Sequence, residues 1–500
     1  MKQALPDDGR EGRQNMSESD ALRALDDAPT TRTHWRWTVL TAAGAYLDAG
    51  SIVAGAVALP LWAPHFALTS GAVGLIGGFS SNGISGGIGA LVGGWLGDKY
   101  GRRTIYAWDL LLYIVGALII IFATGAPMLI GGYVLIGLAV GADIPNSLTL
   151  LAEFAPRKRR SRLLGFGPVA WYIGPLVAVI LAVALNSLGL TAVKIIFGQL
   201  AVIALITWFM RRKMTESPRW AELHGRQAEV RASMTELGQG VRGGTAEAPA
   251  PVRADGEQAG VGALLRSLRG TGVLPAIGFL IVLYTVWNIP AGTYGFFFPY
   301  LLSTVGAKSA FAADYLDMVL YGVGIVTLAV YMMIGDRVNR RLHWTGFSAM
   351  AAIGFFLFLF LNVKSEGTVI ANIVLMGIGG FSVTYHIATL WQTELLPTRV
   401  RAFGLGLSVA VARVALGIWS IYLPSITGSL GFTTVALMLA LMYVFIMFWG
   451  GLFGPSTQGM ALEDIRYSFR SGLTSLRAGR AAQLRARSGQ DYSERRPASR

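Results

Sequence analysis

Four ionisable residues stand inside long apolar runs of this 500-residue chain: Asp48 in GAYLDAGSIVAG, Asp143 in GADIPNSLTLLAE, His386 in VTYHIATLW and Arg413 in LSVAVARVALGIW. A charge in apolar surroundings is costly unless it is paired or used, so each is a candidate functional group. A carboxylate so placed can take up a proton on one side of a barrier and give it up on the other; Asp48 is the first candidate, near the middle of the first run. A permanent ion pair or a packing hydrogen bond is the alternative. Asp143 is a second titrating group, a partner for Arg413, or a capping group beside Pro145. A guanidinium can clamp a carboxylate in two-point fashion, so Arg413 favours an anionic ligand, unless it serves as counter-ion to Asp48 or Asp143. His386 suits a hydrogen bond to a ligand or a proton relay, and equally a packing role. Asp109, a turn or two from the end of the third run, reads as a structural partner of nearby bases.

Aromatics with interspersed amides and hydroxyls form a second group. Trp287, Asn288, Thr293 and Tyr294 fall on the seventh run, Trp391 and Gln392 low on the tenth, Trp171 and Tyr172 on the fifth. Such walls suit a polyol or a small ring compound. Many aromatics in apolar helices merely pack or anchor at interfaces.

The elements that carry these residues are apolar runs of about 20 residues, the length that crosses a hydrocarbon core of about 30 Å. They lie near 37–62, 71–96, 104–124, 128–152, 163–186, 191–210, 272–302, 315–335, 343–362, 368–395, 402–426 and 431–453. The chain is 53% hydrophobic and 14% charged, against about 25% charged in ordinary soluble domains. The expected fold is an all-α membrane protein of twelve transmembrane helices in two six-helix pseudo-symmetric bundles. The expected layout is an N-terminal tail over 1–34, a bundle over 35–210, a linker over 211–270, a second bundle over 271–453 and a tail over 454–500. The linker contains GQGVRGGTAEAPAP and reads as partly disordered, as does the basic tail. The seventh run holds Pro275, Pro290 and Pro299, so a kinked or broken helix is expected there. The second run is glycine-rich, which allows close helix approach: ordinary tight packing, or a smooth contact along which two halves rock.

The net charge of +14 sits in loops and tails, which excludes nucleic acid as the natural partner and points to topology and anionic lipid. One set of loops carries Lys99, Arg102, Arg103, Arg157–Arg160, Arg162, the linker bases, Arg337, Arg340, Arg341, Arg399 and Arg401; the other set carries little more than Lys308 and Lys364. By the positive-inside rule the first set and both termini are cytoplasmic, and an even number of spans requires the same. Met1–Thr33 mixes acids and bases and does not read as a cleavable leader. The chain has no cysteine, which rules out thiolate metal sites. No metal-ligand spacing, nucleophile–base constellation or G-x-x-x-x-G-K-[ST] loop is present, so neither an enzyme nor a nucleotide-driven pump is expected, and no cofactor.

The stretch GWLGDKYGRR at Gly94–Arg103 returns as MIGDRVNRR at Met333–Arg341, with Asp98, Arg102 and Arg103 answering to Asp336, Arg340 and Arg341. LLAEFAPRKRR places Glu153, Pro156 and Arg160 as QTELLPTRVR places Glu394, Pro397 and Arg401. Repeated charged turns in an apolar chain mark a duplicated bundle. Acids and bases in matched positions can latch one bundle to the other at the cytoplasmic side, or simply set topology.

These turns resemble the loop motifs of the major facilitator superfamily. TESPRW at Thr215–Trp220 and GPSTQGMALEDI at Gly454–Ile465 are similar to sugar-porter motifs. The resemblance runs from about residue 37 to 465 and implies alternating access between two halves, with Asp48 matching the carboxylate that takes up the proton in proton-coupled sugar porters. Two departures concern cargo. Tyr133 stands where sugar porters carry an Arg in the fourth helix, which removes the usual partner of that carboxylate. YTVWNIPAGTYGFFFPY replaces their Gln-Gln pair in the seventh. The chain is more similar to metabolite–proton symporter relatives, including bacterial inositol-type transporters. The expectation is a monomeric multi-pass protein of the plasma (cell inner) membrane carrying a small polyol or sugar-like metabolite with a proton. The alternatives are a small organic anion as cargo, or a sensor without flux.

Overall fold

The computed structural model describes residues 29–156, 159–238, 273–304, 310–334, 338–361, 365–396 and 401–457. Among these, ten helices are long and apolar enough to cross a membrane; a two-piece second span and the eighth span, Ala310–Ile334, complete twelve. The first span, Arg32–His65, starts where the Thr31 hydroxyl accepts the His34 N–H, which satisfies one of the free amide groups at a helix start. The third to sixth spans are Arg102–Ile121, Ala126–Phe154, Phe166–Ala184 and Leu190–Arg211. The seventh is Leu274–Thr304, the ninth Arg340–Phe360, the eleventh Arg401–Leu430 and the twelfth Phe432–Phe453.

Three spans depart from expectation. The second is two helices, Ser70–Gly78 and Ile84–Tyr100. Serine hydroxyls take up carbonyls freed at the break: Ser85 Oγ donates to Phe79 O at 2.8 Å and to Ser80 O at 3.3 Å. Irregular backbone at membrane depth is tolerated where protein supplies such partners. The seventh, despite its prolines, runs as one helix. The tenth changes pitch, with α-helix over Glu366–Leu375, π-helix over Met376–Val383 and α-helix again over Thr384–Glu394. Wide π turns leave carbonyls available to side chains: Gly380 O accepts from Trp287 Nε1 at 2.9 Å and from Tyr443 Oη at 3.1 Å.

Small residues set the packing. Gly174 lies so close to Gly50 and Tyr46 that a side chain there would strike their backbone, which draws the fifth span onto the first. The glycines of the second span serve two neighbours. Gly89, Gly93 and Gly97 face Leu138, Ala142 and Asn146 of the fourth span, while Gly74, Gly78 and Gly87 face Ile421, Gly417 and Ala410 of the eleventh. The seam between the halves is therefore made by the second span on the eleventh, the fifth on the eighth and the first on the seventh.

The segment assigned to a linker is partly folded. Arg211 belongs to the sixth span. Short helices Pro218–Leu223 and Gln227–Glu236 bring Met214, Trp220, Met234 and Leu237 into a small core with Trp37, Phe154 and Leu163 beneath the first half. Residues 1–28, the remainder of the linker and the tail from 458 onward lie outside the described residues.

Candidate functional site

At the centre of the seam the break in the second span meets the eleventh. Arg413 Nη2 donates to Asp48 Oδ2 at 2.6 Å, and both side chains are under 5% exposed. Arg413 Nη1 donates to the carbonyl of Ser81, which lies in the break. Gly86 leaves the room: a Cβ there would sit 2.7 Å from Nη1. Ser51 Oγ donates to Asp48 O at 2.8 Å and bonds Ser81 Oγ at 3.0 Å. Asp48 Oδ1 and Arg413 Nε have no hydrogen-bond partner among the described residues. The pair joins the first half to the second through one charge on each, and losing either leaves the other buried alone, at a cost of about 3–5 kcal/mol. The partner that Tyr133 cannot supply thus comes from the opposite half. Tyr133 instead donates its hydroxyl to Ser51 O at 3.4 Å and packs between Trp62 and Phe197.

Beside the pair runs an aromatic ladder across the seam. Trp171 of the fifth span approaches Tyr385 of the tenth at 5.8 Å, Tyr385 stacks on Trp287 of the seventh at 5.6 Å, and Trp287 continues to Tyr284 at 5.4 Å. Tyr172 meets Tyr321 edge-on across the fifth–eighth contact. Asn288 Nδ2 reaches Ala412 O at 3.4 Å. These residues gather where the halves face one another.

Other candidates are placed elsewhere. Thr293 donates to Ile289 O within its own helix and Tyr294 to Asn372 Oδ1 at 2.7 Å; both line an apolar pocket with Phe298, Phe355 and Phe432 inside the second half. Trp391 donates to Pro455 O at 3.1 Å and packs on Phe279 and Trp344, so it anchors the start of the tail. Gln392 ties the tenth span to the eleventh through Ser408. His386 lies within the second half against Tyr331, its ring nitrogens without a hydrogen-bond partner among the described residues.

Asp143 does not meet Arg413. It forms a two-point pair with Arg211 (2.8 and 3.1 Å), which also approaches Asp109 at 3.4 Å. Asp109 is thus paired with a nearby base, as expected. Arg211, Tyr385 and Ser81 were not legible as site residues. Arg211 closes an apolar run and resembles the first residue of a loop, and a carbonyl freed by a helix break has no side-chain signature.

At one end of the helices the repeated motifs form a network. Arg102 binds Asp98 at 3.1 Å and Glu153 at 3.3 Å, and Arg401 of the second half lies 3.7 Å from Glu153. Asp98 Oδ2 accepts the Phe403 N–H at 2.8 Å, a second tie across the seam. Glu216 accepts the backbone N–H groups of Arg102 and Arg103 at 3.1 and 3.0 Å, and burial raises its carboxyl above the ordinary value. Arg103 contributes this backbone contact while its side chain is exposed. In the second half Arg340 pairs with Glu394, whose carboxylate also takes the Thr457 hydroxyl at 2.6 Å, and Arg341 donates to Gly454 O. Asp336 and the side chain of Arg160 lie outside the described residues.

Glu153–Arg401 and Asp98–Phe403 tie the halves at the end that carries the repeated motifs, and Gly77 against Phe297 with Gly74 against Ile421 bring them together elsewhere on the seam. Between the halves lie one charge pair and a row of rings.

Residues 67–469 match the family described as "Sugar (and other) transporter". The chain is 38% identical over 433 residues to the minor myo-inositol transporter IolF of Bacillus subtilis, covering 86% of this chain and 92% of the relative. It is 28% identical over 442 residues to the inner membrane metabolite transport protein YgcS of Escherichia coli, covering 88% and 95%. In structure it is similar to the major facilitator superfamily proton:xylose symporter XylE bound to 6-bromo-6-deoxy-D-glucose, with a TM-score of 0.68 at 18% identity, over 87% of this chain and 99% of that one. A partially occluded inward-open form of XylE from E. coli matches with a TM-score of 0.66 at 17% identity, over 86% and 100%.

Proposed function

The chain belongs to the sugar (and other) transporter family, and from that premise we propose that it carries a small polyol or sugar-like metabolite across the membrane together with a proton. It is a multi-pass membrane transporter, not an enzyme, and alternating access follows from two halves that meet along a seam.

The reading rests on one observation, the Asp48–Arg413 pair that crosses the seam. With Asp48 ionised the two halves are held by an ion pair. A proton on Asp48 removes that attraction and leaves Arg413 with the Ser81 carbonyl. Cargo then completes the site against Trp171, Tyr385, Trp287 and Asn288, and the halves can rock. Release of the proton restores the pair and resets the carrier. The cargo class is supported by the identity to a myo-inositol transporter and by rings with amide edges, which bind the apolar faces and hydroxyls of a polyol. We place both termini in the cytoplasm, from the distribution of basic residues, and take the monomer as the working unit of the plasma (cell inner) membrane.

A second reading has an observation of its own. Arg413 bereft of Asp48 is an anion site, so a small carboxylate would neutralise it. Proteoliposomes loaded at alkaline pH and diluted into acidic buffer test both. Accumulation of labelled myo-inositol driven by the gradient is expected. Accumulation of carboxylates alone would select the second reading. Binding without flux would leave a sensor, and flux indifferent to the gradient would remove the proton.

A further inference from the structure

Two carboxylates enclosed in the first half share one guanidinium, and among the described residues no second base is paired with either. Asp109 of the third span, Asp143 of the fourth and Arg211 at the end of the sixth are each 4% exposed or less. Every N–H of Arg211 is engaged: Nε on Leu40 O (3.0 Å), Nη1 on Asp143 and Asp109, Nη2 on Asp143 and on Thr41 O (3.3 Å). Asp143 receives the two-point pair and also the Ser147 hydroxyl at 2.8 Å, which is shared with Tyr106 Oη at 2.9 Å. Asp109 receives less: its own following amide on Oδ1 at 2.6 Å, and on Oδ2 the second Nη1 hydrogen at a longer 3.4 Å. One guanidinium neutralises only one of the two buried carboxylates, and a proton relieves the excess charge. The other titratable and charged groups that face this cluster are Tyr106, whose ring lies under the Arg211 guanidinium at 4.3 Å, and Tyr385, which shares with Asp143, Ser147 and Thr41 a cavity of about 30 Å³ between the halves.

Position gives the cluster a role. A Cβ on Gly44 would overlap Asp143 Oδ2, so the carboxylate lies against the first span at Gly44. Asp48 is one turn further on, on the same face, about 6 Å along the axis. Since Arg32 begins that span and the basic end is cytoplasmic in our reading, the cluster is the cytoplasmic neighbour of Asp48, and its cavity opens on the seam that must part for release.

We propose that Asp109, Asp143 and Arg211 form a second proton-binding site, with the proton held on Asp109, which receives the proton released from Asp48 and passes it to the cytoplasm. This rests on the proton-coupled reading above. The proton leaves the Asp48 carboxyl, a carboxylate of the cluster takes it, and cytoplasmic water accepts it when the seam opens; no other reactant is needed.

The test uses full-length protein with carbon-13-labelled aspartate, in membranes near neutral pH. An infrared band of a protonated aspartic acid that disappears on Asp109→Asn is expected in the wild type and is retained in Asp48→Asn. In proteoliposomes, the wild-type uptake rate is expected to rise with internal pH, and Asp109→Asn to flatten that response while the dependence on external pH stays. A wild-type spectrum with no protonated-aspartate band overturns the site without any variant, as does an internal-pH response that survives Asp109→Asn. If Asp48→Asn keeps full gradient-driven uptake, it is the proton-coupled reading that has failed; if only the Asp109 results fail, that reading stands without the second site.

Discussion

Breaking the ion pair at the seam from each side and then from both is the most demanding test of the mechanism. Asp48 and Arg413 are bonded at 2.6 Å with both side chains nearly inaccessible. Asp48→Asn leaves a buried guanidinium with only the Ser81 carbonyl and an amide; Arg413→Gln leaves a buried carboxylate. Each single change is expected to cost about 3–5 kcal/mol, because the surviving charge loses its compensation. The double variant removes both charges and is expected to be close to the wild type or more stable, so the cycle closes with a large favourable coupling. Chemical unfolding of the purified protein reads the stabilities. Transport gives a second magnitude. One proton moved across about 100 mV supplies about 2.3 kcal/mol, which is roughly 50-fold in accumulation ratio. Asp48→Asn and the double variant are expected to lose that factor and to equilibrate cargo without concentrating it. A double variant no more stable than the worse single one would show that the pair is not the tie described. An Asp48→Asn protein that still concentrates cargo to the wild-type level would end the case for Asp48 as carrier.

Docking of the segment after the sixth span is expected to respond to pH through Glu216. Burial raises its carboxyl above the ordinary value, so the docked form binds the proton more tightly than an undocked form in which Glu216 is solvated. Docking is therefore favoured below the ordinary carboxylate value and weakened as pH rises through the raised one. Spin labels at Tyr100→Cys and Arg231→Cys, in a chain with no native cysteine, should report separation growing as pH rises. The trend should vanish in Glu216→Gln; an equal trend in that variant would assign it to another group. The seam itself is tested by Gly87→Leu. A Cβ there would already be 2.8 Å from Ala410 O and 2.9 Å from Val414, and overpacking of this kind costs about 1–3 kcal/mol. Uptake should fall sharply, whereas Gly198→Ala, where nothing lies within 4 Å, should leave it unchanged. Equal uptake by the two variants would mean the second and eleventh spans are not in close contact.

The twelve spans and the duplicated halves were legible because apolar length, charge in turns and a repeated motif are local properties of the chain, and a membrane imposes one solution on them. The candidate charges were legible for the same reason: an aspartate in LDAGS or an arginine in VARVA has no business in an apolar run without a task. Which charge meets which was decided elsewhere. Asp143 stood as open to Arg413 as Asp48 did, and only the packing of the sixth span gave it Arg211, a residue that in sequence looked like the first of a loop. Thr293, Tyr294 and Trp391 had the chemistry of a binding wall, but the faces their helices turn inward put them among packing neighbours. The break in the second span and the π turns of the tenth left no mark in composition, yet they supply the Ser81 and Gly380 carbonyls that hold Arg413 and Trp287. Sequence by itself determined the elements and their charges, since these depend on residues a turn or two apart. The tertiary structure alone decided the pairings, because contacts across 365 residues between Asp48 and Arg413 follow from how helices rotate and cross, and no local pattern encodes that.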